Sequence, residues 1–265
     1  MSMHPAQRRQ YLEAIGIDLW VPRAQGTPAA AAPAGAADSQ VTPCAPAPPT
    51  ARTATAATAR AEEPGPQAAA QWQALSEEVK SCTRCALHAT RTQAVLGVGP
   101  RRADWLVIGE APGAEEDRRG EPFVGVAGQL LDKMLQAIGL DRRTNVYIAN
   151  VLKSRPPNNR DPKPEEVAAC LPYLVRQIAL LRPKIMLAVG RIAAQNLLDT
   201  QAPLGRLRGQ VHRFGELNTP LVVTYHPAYL LRTPADKRKA WEDLKFARGV
   251  YQQLTQDTAP DGNRG

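Results

Sequence analysis

The sequence predicts an α/β domain: helices on both faces of a four-stranded parallel sheet, three layers in all, preceded by a disordered N-terminal tail. Three observations predict it. Four short apolar runs, Trp105–Ile108, Val146–Ala149, Ile185–Val189 and Leu221–Tyr225, alternate with stretches of helical periodicity. The runs are apolar throughout, as strands covered on both faces are. Ahead of them, from about Gln25 to Gln71, the chain is nearly all Ala, Pro, Thr, Gln and Gly. Such a tract has too few large apolar side chains to offset the entropy of ordering.

Taken in order, residues 1–23 hold a patterned piece in which Tyr11, Leu12, Ile15, Leu19 and Trp20 form one apolar face. Two readings stand for it: a docking peptide for another protein, or a terminal helix folded back on the domain. Residues 24–71 read as the linker, 72–256 as the domain and 257–265 as a disordered C-terminus. Within the domain a short helix is expected from Ala74 to Ser81. Helical patterns follow at Val126–Ile138, Pro164–Leu181, Arg191–Leu198 and Pro234–Leu254. Pro172 should kink or restart the second of these. Right-handed crossovers then bring every strand-to-helix loop to one edge of the sheet.

The chain has 265 residues and a net charge of +8, a surplus that suits a polyanionic partner such as nucleic acid. It has no apolar run near the ~20 residues of a membrane span, and the N-terminus lacks the apolar core of a secretory signal. A cytoplasmic, reducing location is expected, with the four cysteines acting as ligands or buried thiols.

The loops at the common edge carry the chemistry. Gly109 to Gly125 is rich in glycine and carboxylates and holds an exposed-looking Phe123, able to stack on a flat ring. Asn150 ends the second strand, where a side-chain amide suits a planar heterocycle with adjacent N–H and C=O groups. His226 ends the fourth strand, before Pro227, where it can stabilise an oxyanion or move a proton. Arginines flank these loops, among them Arg155, Arg208 and Arg232, and are read as a phosphate-binding rim. Separately, Cys82-Thr-Arg-Cys85 and Cys170 make three thiolates that, with one more ligand, suit a four-iron cluster or a zinc ion. Cys44 lies in the linker, so the fourth ligand is missing.

Five motifs, Gly109-Glu-Ala-Pro-Gly113, Glu121-Pro-Phe-Val-Gly-Val-Ala-Gly-Gln-Leu-Leu131, Asn150-Val-Leu-Lys, Arg155-Pro-Pro and His226-Pro-Ala-Tyr, together resemble the type-4 uracil-DNA glycosylases. The resemblance runs from about Cys82 to Leu254. It implies a monomeric enzyme that excises uracil from DNA, and a four-iron, four-sulfur cluster of structural role. By motif position Phe123 stacks on uracil, Asn150 reads its amide edge and His226 donates to its O2. Ala111 and Gly113 wall the pocket, and Glu110 and Glu116 match acidic positions of the first motif. The water-activating aspartate of the best-known relatives is Ala111 here, leaving Glu110, Glu116 or unaided water. Where the family has Lys-Cys-Arg-Pro-Pro, this chain has Lys153-Ser154-Arg155-Pro-Pro. Ser154 thus stands in the expected ligand position between Cys85 and Cys170, and a weakened or incomplete cluster is expected. The competing readings are a non-catalytic module that binds damaged DNA and recruits a partner, and an electron-transfer protein. Neither requires Asn150, Phe123 and His226 together.

Overall fold

The computed structural model describes residues 65–256. The N-terminal peptide, the linker up to residue 64 with Cys44, and residues 257–265 lie outside the described residues.

Five strands form one sheet: β1 Trp105–Gly109, β2 Val146–Asn150, β3 Ile185–Val189, β4 His212–Phe214 and β5 Thr219–Thr224, in the order β2-β1-β3-β5-β4. The four predicted strands are present and mutually parallel. The fifth, β4, corrects the expected count. It is a three-residue antiparallel edge strand paired with β5, and its His-Arg-Phe sequence carries no apolar run to announce it.

Pleating sends alternate residues to opposite faces. Leu106 and Ile108 of β1 meet Trp72, Leu75, Leu174 and Ile178 on one face. Trp105 and Val107 meet Leu131, Leu135 and Leu244 on the other. The first face is covered by α1 (Pro66–Lys80) and α4 (Pro164–Leu181), the second by α3 (Val126–Ala137) and the long C-terminal helix α8 (Lys237–Gln256). Each fully buried side chain of this size contributes roughly 1.5–3 kcal/mol.

Several local expectations change. α1 starts at Pro66 rather than Ala74, so residues 66–71, read as the end of the linker, form its first turns. Their Ala-rich composition is what an α-helix prefers once Trp72, Leu75 and Val79 fix it to the core. A six-residue helix, α2 (Ala114–Arg119), lies inside the loop after β1, closed by the left-handed Gly120. α4 runs on through Pro172 without ending. After β3 come α5 (Arg191–Leu198) and the single turn α6 (Leu204–Leu207). After β5 come α7 (Pro227–Arg232) and a 3-10 turn, Pro234–Asp236, that leads into α8.

Candidate active site

Two glycines set how closely the functional side chains approach. Gly109 is the last residue of β1, opposite Asn150 in register. A Cβ there would run into Asn150 Oδ1 and the Phe123 ring, whose Cζ would lie at 2.6 Å. Gly190, at the end of β3, has φ +102°, and a Cβ would meet His226 Cβ at 2.9 Å. Both ends of the parallel strands are bare so that a side chain from the neighbouring strand end can lie across them.

Phe123 is buried, 6% exposed, which corrects its exposed look in the sequence. Its φ of 53° is left-handed, a costly conformation for a bulky residue that neighbours must enforce. Two clamps do so. Arg142 donates from Nη1 to the Pro122 carbonyl at 3.1 Å and from Nη2 to the Phe123 carbonyl at 2.9 Å, while its Nε holds Asp132 at 2.7 Å. From the other side Glu116 Oε1 accepts the N–H groups of Val124 and Gly125 at 2.9 and 3.0 Å. The Phe123 ring then faces the His226 ring, centroids 5.6 Å apart.

His226 caps α7. Its Nδ1 accepts the Ala228 N–H at 3.1 Å. That bond fixes the neutral tautomer, with the proton on Nε2 as the free donor. Burial, then the nearby Arg232 charge, push the imidazole down to about 4, so it is neutral at physiological pH. The strand end beneath it is tied down: Thr224 Oγ1 donates to Asp243 at 2.8 Å, and the Thr224 carbonyl accepts the Gly190 N–H at 2.8 Å.

Asn150 is 2% exposed, and its Oδ1 is buried with no hydrogen-bond partner among the described residues. A buried acceptor left alone costs about 1–3 kcal/mol, a penalty removed when a ligand N–H arrives.

Glu110, Ala111, Gly113, Glu116, Phe123, Asn150, His226 and Arg232 all line one cavity of about 420 Å³. Burial and then the Asp161 charge push the Glu110 carboxyl up to about 7, against the pull of Arg191. Glu116 is tied to the loop backbone, so it shapes the pocket wall instead of standing free as a base. The arginines divide. Arg232 is exposed at the cavity, while Arg155 does not line it and donates from Nε to Asn159, a lining residue, at 2.8 Å. Arg208, read from the sequence as a phosphate contact, is engaged by other groups of the protein. Its guanidinium grips Asp243 at 2.7 and 2.8 Å, donates to the Lys239 carbonyl and covers the Tyr225 ring. Arg160 lines the cavity, with its guanidinium on Glu166.

Behind β2 lie the cysteines. Cys170 is buried, and Cys82 and Cys85 pack at the edge of the same core cluster. Burial raises the Cys170 thiol, the Lys153 backbone N–H and ammonium lower it, and the Cys85 and Cys82 charges raise it again. Ser154, 2% exposed, accepts from Arg91 Nη1 at 2.9 Å. Among the described residues no three His, Cys, Asp or Glu side chains stand close enough to grip a single metal ion. The donor set is three thiols and one hydroxyl. That set falls one thiol short of four.

The sequence assigned no role to Arg142, Asp161, Lys153 or Gln177. The partners of Arg142 and Gln177 lie far along the chain, at Pro122–Phe123 and at Leu96, and no local motif marks them.

The family described as the uracil DNA glycosylase superfamily matches this chain over residues 96–245. The chain is similar to the type-4 uracil-DNA glycosylase of Archaeoglobus fulgidus, 49% identical over 178 residues that cover 64% of this chain and 88% of that protein. The protein of the same name from Pyrobaculum aerophilum is 46% identical over 183 residues, 67% of this chain and 93% of its own length. That from Thermotoga maritima is 42% identical over 183 residues, 68% and 94% respectively.

Proposed function

Because this chain belongs to the uracil-DNA glycosylase superfamily, and to its type-4 branch, we propose that Asn150, Phe123 and His226 recognise and release a uracil flipped out of DNA into the 420 Å³ cavity. The protein is a DNA repair glycosylase, a hydrolase of N-glycosyl bonds that leaves an abasic site. Among the described residues no helix is long and apolar enough to cross a membrane. The observation that carries the residue assignment is the orphaned Asn150 Oδ1 beside a neutral, tautomer-fixed His226.

The nucleotide leaves the stack and enters the cavity, its phosphates met by Arg232 and Arg155. Phe123 lies against the ring. Asn150 Oδ1 accepts the uracil N3–H, and its amide NH₂ faces O4. Cytosine has no N3–H and carries a donor in place of O4, so it leaves the acceptor unpaired and opposes two donors. The N1–C1′ bond breaks with its electron pair going to uracil, and the sugar becomes oxocarbenium-like. His226 Nε2–H donates to the charge growing on O2, a contribution of about 3 kcal/mol for one such donor. Water adds to C1′ and gives its proton to Glu110, whose raised pKa suits a base working near neutral pH.

The cysteine site supports a second, structural reading. Cys82, Cys85 and Cys170 would hold the iron–sulfur cluster implied by the type-4 likeness, with Ser154 at the fourth position. When bound, the cluster would cross-link the segment after α1 to α4 and to the turn after β2.

Uracil-containing single-stranded DNA, incubated and then cleaved with alkali, tests the assignment. His226→Ala and Asn150→Ala should each lose at least a hundredfold in rate. Near-normal release by both would remove these residues from the mechanism.

A further inference from the structure

The end of β2 is braced by an unusual group. Outside β1, Ile148 is paired in an antiparallel bridge with Val98: Val98 N–H donates to the Ile148 carbonyl at 2.9 Å, and Ile148 N–H to the Val98 carbonyl at 2.8 Å. The Asn150 carbonyl lies two residues on, on the same edge of the strand by the period-two rule. There the partner is the Lys153 ammonium, at 2.7 Å. Lys153 is 2% exposed, and its Nζ also donates to Gln177 Oε1 at 2.6 Å. Gln177 in turn donates to the Leu96 carbonyl at 3.0 Å and to the Tyr147 hydroxyl at 3.3 Å. The Lys153 main chain closes the same turn, its carbonyl accepting the Val95 N–H at 2.8 Å and its N–H bonding Cys170.

A buried lysine is expensive, and here it touches neither the cavity nor solvent. One of its bonds holds the carbonyl of the residue that carries the orphaned amide, and the others tie it to Gln177 and to the Leu96 carbonyl. Resting on the function proposed above, we propose that Lys153 is a positioning residue for uracil recognition: its side chain braces the strand end so that the Asn150 amide keeps its aim into the cavity. β1 restrains the inner edge through Val151 N–H to the Gly109 carbonyl, at 2.9 Å, and Leu152 N–H to the Glu110 carbonyl, at 3.0 Å. Lys153 and Gln177 restrain the outer edge. Without them the Asn150 peptide can tilt, and a misplacement of about 1 Å in such a site is worth about a hundredfold in rate.

The test compares the full-length protein with Lys153→Met and with Leu135→Ala, a core truncation on the opposite face of the sheet. Each is assayed at a temperature where circular dichroism shows it folded. The readouts are single-turnover uracil release, inhibition by free uracil, and iron content. Lys153→Met should release uracil about 10- to 100-fold more slowly and be inhibited by free uracil at least tenfold more weakly. Leu135→Ala should keep both within about threefold. The main-chain bond to Cys170 survives the Lys153 substitution, so iron content should not change. Wild-type kinetics in Lys153→Met, equal losses in Leu135→Ala, or a fall in iron in step with activity would each overturn the proposal. Should Lys153→Met fail to fold, Gln177→Leu replaces it, with an expected three- to tenfold loss in both uracil readouts and none overturning the idea. Absence of uracil release by the wild-type protein would be a failure of the proposed function and not of the brace.

Discussion

Replacing His226 with Ala separates two jobs that one imidazole performs. Nδ1 caps α7 through the Ala228 N–H, and Nε2–H faces the leaving base. Loss of a cap costs about 1 kcal/mol of stability. Loss of an oxyanion donor costs about 3–4 kcal/mol of transition-state stabilisation, or 10²- to 10³-fold in rate. His226→Asn distinguishes the two, since its shorter amide oxygen can still accept the Ala228 N–H but no longer reaches the base. Single-turnover release of uracil, with enzyme in excess, is the assay, beside thermal unfolding of each variant. His226→Ala should lose both stability and rate, and His226→Asn the rate alone. Because burial and Arg232 hold the imidazole near 4, the donor is already neutral at pH 6, and no loss of rate should appear from this residue between pH 8 and pH 5. A rate within tenfold of wild type in His226→Asn would refute the donor role, and a rate that still fell with protonation near pH 6.5 in the Glu110→Gln background would refute the neutral imidazole.

Glu110 gives the opposite pH signature: a base must be ionised, so kcat/KM should fall about tenfold per unit below about pH 7 and level off above it. Glu110→Gln should abolish that inflection. Arg142→Ala should free the left-handed Phe123 and slow release by about tenfold or more, with DNA binding kept, as read by single-turnover kinetics and by filter binding. Ser154→Cys should raise iron and sulfide content and slow cluster loss to chelators; unchanged stoichiometry and stability would remove Ser154 as the weak corner.

The parallel strands were legible because each is built on a run of apolar residues, broken in the fourth only by Thr224, as strands buried on both faces are. Their ends were legible from the residues just past them: Asn150 follows Ala149 directly, and His226 follows Thr224-Tyr225. What stayed hidden depends on partners distant in sequence. Nothing local in Arg208 tells a surface phosphate contact from a half-buried ion pair with Asp243, 35 residues away. β4 and α2 are too short and polar to show periodicity. The Ala-rich start of α1 has the composition of a linker, and only packing against the core through Trp72 makes it a helix. The clamps on Phe123 were equally invisible. Glu116 looks like a catalytic carboxylate in the motif, yet it holds backbone N–H groups.

The most direct measurement of the central claim is the base released when the full-length protein meets single-stranded oligonucleotides carrying one uracil or one cytosine. The site described here predicts free uracil and an alkali-labile abasic site from the first alone. Tight binding to the uracil strand with no base released would contradict it, and would leave the cavity as a reader of damage without chemistry.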